Sequence, residues 1–204
     1  MITVATLLWE PNDKSLRTSR MYDETWADKL YRGFARNLTR PFRMVCYSEK
    51  PRTFAEPIEC IASLPEKPGY SDCIRPYELN EPMILVGLDT VITGNIDHLA
   101  DYCLTGRYIA LPRDPYAKHQ ACNGVALVTA GNRHVWESWN GANDMEHMRA
   151  QEHVFLDDVF PGEVNSYKGA IKAGGLGNTK IAYFHGREKP GEPGMPAWVS
   201  EHWR

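Results

Sequence analysis

Hydrophobic and polar positions along this chain switch repeatedly between two periods, and the switches divide it into short elements. Ile2 to Leu8 is apolar and β-branched and reads as a first strand, with a polar loop behind it to about Tyr22. Trp26, Leu30, Phe34 and Leu38 then recur every fourth residue, with Ala27, Tyr31 and Ala35 beside them and Lys29, Arg32 and Arg36 on the outer face, so this segment reads as an amphipathic helix. Thr25 and Asp28 have the spacing of a capping box, and Pro41 closes the helix. Phe42 to Tyr47 and Ile58 to Ile61 are the next strands, and Pro65, Pro68 and Gly69 punctuate a loop. Met83 to Leu88 reads as a buried strand that finishes on a carboxylate, Asp89, before the small polar Thr93, Gly94 and Asn95. Asp97 is the expected N-cap of a short helix over His98 to Tyr102.

Tyr108 to Leu111 and Gly124 to Thr129 follow as strands, with helices expected around His134 to Trp139 and Met148 to Phe160, the latter stopped by Pro161-Gly162. Ile181 to Phe184 is a last strand before a tail rich in Pro and Gly. Strands alternating with helices predict an α/β domain with a mostly parallel central sheet. In such sheets ligands sit beyond the carboxyl ends of the strands, where Asp89 falls.

Composition narrows the picture. At 204 residues the chain suits one domain, and its net charge of −3 gives no basic surplus for general nucleic-acid binding. The five cysteines are scattered without CxxC spacing, and several lie in apolar runs, where reduced, buried thiols are the plainer reading. The opening MITVATLLWEPND has no basic n-region and only a short apolar run, so neither a signal peptide nor a membrane span is expected, and a cytoplasmic location follows as an expectation.

Two stretches carry candidate chemistry. ILVGLDTVITGNID (residues 84 to 97) places Asp89 at a strand end, and AYFHGREKP (182 to 190) places His185, Gly186 and Lys189 just after another strand. Imidazole ligates divalent metals, glycine lets backbone approach a phosphate, and lysine offers it a point charge. A carboxylate and a distant histidine, both at strand ends, are what Mn²⁺ or Mg²⁺ bridging a diphosphate requires. His98, His119, His134, His147 and His153 share no metal-ligand spacing, Trp136 and Trp139 read as core, and Lys29, Arg32, Arg36 and Arg40 read as a solvated face.

The order of a strand, LDTVITGNID, NGVALV, a glutamine and FHGREKP resembles the GT-A glycosyltransferases of the glycogenin and lipopolysaccharide galactosyltransferase kind. KLYRGFARNLTRPFRMVCYSE (29 to 49) is similar to that family's first helix and second strand, and PAWVSEHWR (196 to 204) to its C-terminus. The resemblance implies a GT-A, Rossmann-like nucleotide-sugar-binding fold over residues 1 to 204, with 186 to 204 as a lid or tail. It assigns Asp89 and His185 to the metal, Gly186 and Lys189 to the diphosphate, and Gln151 to the anomeric carbon as the catalytic residue. It assigns Asn123 to the donor sugar and Trp9 to the base-binding edge.

The chain departs from the family pattern at three places. Gly87 stands where the family has the first Asp of its Asp-x-Asp motif, Ala150 where it has an Asp before the glutamine, and Asn123 one position late, with Cys122 in the family's place. Asp72 and Arg75 are the candidates to compensate, against the plainer reading of Asp72 as part of a solvated loop with a local ion pair. The activity implied is metal-dependent transfer of a hexose from a UDP-sugar donor to an acceptor hydroxyl, with retention of configuration and Mn²⁺ (or Mg²⁺) as cofactor. Two rivals stay open: a nucleotide-sugar-binding module without turnover, and a purely structural α/β protein.

Overall fold

In β1 (Ile2–Leu7) every residue is buried, because successive side chains face opposite sides of the sheet and both sides are covered. The computed structural model describes residues 1–15 and 20–204. On one face Ile2 and Val4 of β1 join Leu30 and Phe34 of α1 (Glu24–Asn37) in one core. On the other, Ala5 and Leu7 join Ile74 and Tyr77 of a 3₁₀ helix (Tyr70–Leu79). β2 (Phe42–Ser48) and β3 (Ile58–Ala62) extend the sheet in parallel on one side of β1, and β4 (Met83–Val86) pairs parallel to it on the other.

The chain then turns at Leu88-Asp89 into β5 (Thr90–Ile92) and continues through α2 (Asp97–Thr105), β6 (Ile109–Leu111) and β7 (Val125–Val128). Next come α3 (His134–Glu137), α4 (Asp144–Arg149), β8 (His153–Phe155), α5 (Leu156–Val159) and β9 (Val164–Ser166). A π-helical turn (Tyr167–Ile171) runs into α6 (Lys172–Gly174), and β10 (Ile181–Tyr183) and α7 (Ala197–His202) complete the order. The main sheet is seven-stranded in the order β3-β2-β1-β4-β7-β6-β8, and a three-stranded sheet, β5-β10-β9, packs beneath it. β7 is antiparallel to both its neighbours and every other pairing in the main sheet is parallel, so the mostly parallel α/β fold expected from the sequence is present.

The structure corrects several local expectations. Asp23, not Thr25, caps α1, its side chain accepting from the Thr25 amide at 3.0 Å. Asp28 is buried and accepts instead from the Glu56 amide at 3.0 Å. Asp97 is the first residue of α2 and holds the Thr39 amide at 2.7 Å, so it does not cap its own helix. The helix expected over Met148 to Phe160 is α4, β8 and α5 in succession, because the apolar run at its centre pairs with β6.

The arginine face read as solvated is exposed at Arg36 and Arg40, and its guanidinium groups also make surface contacts within the chain. Arg32 and Arg36 donate to the Arg204 and His202 carbonyls, and Arg40 pairs with Asp101. These contacts fix α7 beside α1, with Val199 and Trp203 buried and the Trp26 and Trp203 ring centroids 5.5 Å apart. All five cysteines are free thiols, and among the described residues no helix is long and apolar enough to cross a membrane.

Candidate functional site

Parallel β1 and β4 deliver their carboxyl ends side by side, and the residues just beyond them, Leu8-Trp9 and Gly87-Leu88-Asp89, line a cavity of about 290 Å³. Asn123-Gly124 close it ahead of β7, and His185, Gly186 and Lys189 close it after β10. Gly186 turns the chain at φ +73°, a left-handed conformation that glycine adopts without steric cost. The loop is tethered at one end by β10 and at the other by α7.

At the centre is a buried ion pair. Asp89 Oδ2 takes the Lys189 ammonium and also accepts from the Tyr22 hydroxyl at 2.9 Å, while the two charged side chains are 11% and 5% exposed. Burial, and then the charge on Asp89, raise the Tyr22 phenol well above its ordinary value, so it remains a neutral donor. The other carboxylate oxygen explains Gly87: a Cβ there would lie 2.9 Å from Asp89 Oδ1, closer than real contacts allow. Gly87 is therefore the ground on which the Asp89 carboxylate lies.

His185 Nε2 is 2.8 Å from Ser166 Oγ, and that oxygen accepts from the Gly169 amide at 2.9 Å. Burial first, then the charges of Lys168 and Lys189, depress the imidazole below its ordinary value, so it is neutral at pH 7. Trp9 donates its indole N–H to Ser15 Oγ at 3.0 Å and meets Tyr70 edge-on, with ring centroids 5.8 Å apart. Asn123 donates to the Asp144 carboxylate at 3.2 Å, while its Oδ1 is buried without a partner among the described residues. Desolvation raises the Asp144 carboxyl above its ordinary value.

Trp9, Asp89, Asn123, His185, Gly186 and Lys189 thus share one cavity, and Asp72, Arg75 and Gln151 do not line it. Asp72 accepts from the Gly69 amide at 2.7 Å at the start of the 3₁₀ helix. Arg75 pairs with Glu78 at 3.0 Å and sits 4.4 Å from the Trp136 ring centroid. Gln151 donates to the His147 carbonyl at 3.1 Å, behind α4. Sequence reasoning missed Tyr22, Tyr70, Ser166 and Asp144. Tyr22 lies in a loop with no periodicity, Tyr70 reaches the cavity from the 3₁₀ helix, and Ser166 and Asp144 stand behind it, bonded to His185 and Asn123 from far away in sequence.

Asp89 and His185 were the expected ligands of Mn²⁺ or Mg²⁺. Among the described residues no three His, Cys, Asp or Glu side chains gather around a common point. Asp89 already neutralises a lysine, and His185 is bonded to Ser166. Mg²⁺ is usually held by one or two free carboxylates with waters and substrate phosphates, and here the one carboxylate among the described lining residues is engaged by Lys189 and Tyr22, so these side chains as placed do not fit a resident ion.

No family model and no curated relative matches the chain by sequence. Solved structures do match. An active-site mutant of LgtC superposes with a TM-score of 0.61 at 11% identity, over 98% of this chain and 92% of that one. The galactosyltransferase LgtC in complex with donor and acceptor sugar analogs gives 0.56 at 10% identity over the same shares, 98% and 92%. The glycosyltransferase GlyE of Streptococcus pneumoniae TIGR4 gives 0.57 at 12% identity, and the match covers 94% of this chain but 56% of GlyE. The likeness shows the fold: the GT-A glycosyltransferase arrangement that the sequence resemblance implied.

Proposed function

We propose that this chain is a glycosyltransferase that moves a hexose from a UDP-sugar to an acceptor hydroxyl, with retention of anomeric configuration. One observation carries the reading. A single cavity at the carboxyl edge of the sheet combines an aromatic wall, a buried ammonium and an amide oxygen with no partner among the described residues. Trp9 and Tyr70, set edge to face, offer the uracil ring an aromatic corner to pack against. Lys189 and the Gly186 backbone face the diphosphate, and Asn123 Oδ1 accepts from a sugar hydroxyl. Ligand sites have this character, mostly apolar with a few placed polar groups.

In the transfer, the bond between the anomeric carbon and the β-phosphate oxygen breaks, and its electron pair leaves with UDP. The acceptor oxygen forms the new bond to that carbon, and its proton passes to the departing phosphate. Lys189 stabilises the charge that develops on the leaving group, a role that is strongest in a site closed to water. Tyr22 keeps Asp89, and through it Lys189, in place. Gln151 takes no step in this scheme. The acceptor is a hydroxyl compound of unspecified class.

A thermal-shift screen of UDP-sugars tests the reading. A ligand at about a hundred times its Kd adds about 2.7 kcal/mol, which in a chain of this size raises Tm by roughly 5–11 °C. A flat response to every UDP-sugar and to UDP itself, with and without Mn²⁺, would contradict it.

A further inference from the structure

A metal ion that bridges a diphosphate must find donor atoms with lone pairs turned toward it. Asp89 is the carboxylate among the described residues lining the cavity, and its Oδ2 is already shared by the Lys189 ammonium and the Tyr22 hydroxyl. A second carboxylate at position 87 would bring its Cβ to 2.9 Å from Asp89 Oδ1, so it fits only if the Asp89 side chain leaves the position in which it holds Lys189. A dication at Asp89 would also stand against the Lys189 ammonium and repel it.

The ammonium itself meets the same requirement. Lys189 is 4% exposed, on a loop anchored by β10 and by α7, whose Val199 is fully buried. An ammonium has three donors. One satisfies Asp89, and no other hydrogen bond among the described residues engages the remaining two, which can reach phosphate oxygens without breaking the ion pair. Tyr22 and the bed of Gly87 hold Asp89, and Asp89 holds the ammonium, so the charge is in position before a ligand arrives.

We infer that Lys189 replaces the divalent cation in this chain: the protein binds a nucleoside diphosphate without metal, through the ammonium that Asp89 positions. The inference rests on the nucleotide-sugar reading. Asp89 is then a positioning residue, and Gly87 is the adaptation that lets it reach Lys189 in place of a metal ion.

Calorimetric titration of UDP into the full chain, once in EDTA and once in millimolar Mn²⁺, tests it. The two Kd values should agree within about threefold. Lys189→Gln should weaken binding about tenfold to hundredfold in both buffers, as loss of a charge-assisted hydrogen bond does, and Mn²⁺ should not rescue it. Lys189→Arg, which keeps the charge, should recover part of the loss, and melting curves verify that both variants are folded. Binding that disappears in EDTA and returns with Mn²⁺ overturns the inference and leaves the nucleotide-sugar reading standing. No UDP binding in either buffer removes that reading and the inference together.

Discussion

Replacing Lys189 by methionine keeps most of the length of the side chain and removes its charge. Asp89, 11% exposed, then keeps the Tyr22 hydroxyl as its hydrogen-bond partner among the described residues. Breaking a buried ion pair from one side costs about 3–5 kcal/mol, because the remaining charge stays desolvated. Tyr22 still donates to the carboxylate, which places the expected loss at the lower end, about 3 kcal/mol. For a chain of this size that lowers Tm by roughly 6–12 °C.

A double-mutant cycle separates this loss from simple damage to the loop. Asp89→Asn alone strands a buried ammonium and also destabilises, whereas the double variant Asp89→Asn/Lys189→Met carries neither charge. The double variant should therefore lose clearly less than the sum of the two single losses. The cycle is read by urea denaturation and calorimetry on all four proteins. Strictly additive losses, or a Lys189→Met protein that melts within about 1 °C of wild type, would refute the buried pair as a stabilising unit.

Gly87→Ala puts a Cβ 2.9 Å from Asp89 Oδ1, so it should cost about 1–3 kcal/mol and weaken UDP binding as the carboxylate is pushed off Lys189. Unchanged melting and affinity would refute the close approach. Burial holds the Asp144 carboxyl above its ordinary 3.8, so the folded chain keeps a proton that the unfolded chain gives up. That contribution is present below the unfolded value and is lost as pH rises through the folded one. Asp144→Asn should therefore be more stable than wild type at pH 7, with the gap closing as pH falls toward 3.8, and a pH-independent difference in Tm would count against the buried charge. Amide exchange over residues 185 to 195 should slow when UDP binds, as the diphosphate engages the Gly186 backbone and Lys189. Equal exchange in free and bound protein would count against those contacts.

The elements legible in the sequence were those whose own pattern decides them. β1 and β4 are continuous apolar runs, and α1 repeats its buried face over three turns, so local order and tertiary burial agree. Residues 148 to 160 failed because a short apolar run suits helix and strand alike, and pairing of Ile109 with His153 and Leu111 with Phe155 settles it. The 3₁₀ helix escaped because Pro76 lies inside it, and β5 because its partner lies some ninety residues on, Ile92 facing Ile181. At the cavity, Asp89 and His185 were visible as polar residues just beyond apolar strands, and Lys189 in the turn that follows His185. Their pairing was not: nothing in the chain near Lys189 indicates that its ammonium lies on Asp89, or that Gly87 is small to make room for the carboxylate.

The central claim is that this cavity breaks the glycosidic bond of a nucleotide sugar. The direct measurement is a single turnover, with protein in excess over each of a panel of radiolabelled UDP-hexoses, in EDTA and in Mn²⁺, with mixed sugar acceptors, quenched over time and resolved by chromatography. The account predicts that wild type releases UDP from at least one donor in both buffers and passes the label to an acceptor or to water, while Lys189→Gln at matched occupancy releases it far more slowly. A UDP-hexose that binds to saturation and is recovered intact would contradict the account and make the chain a nucleotide-sugar-binding module.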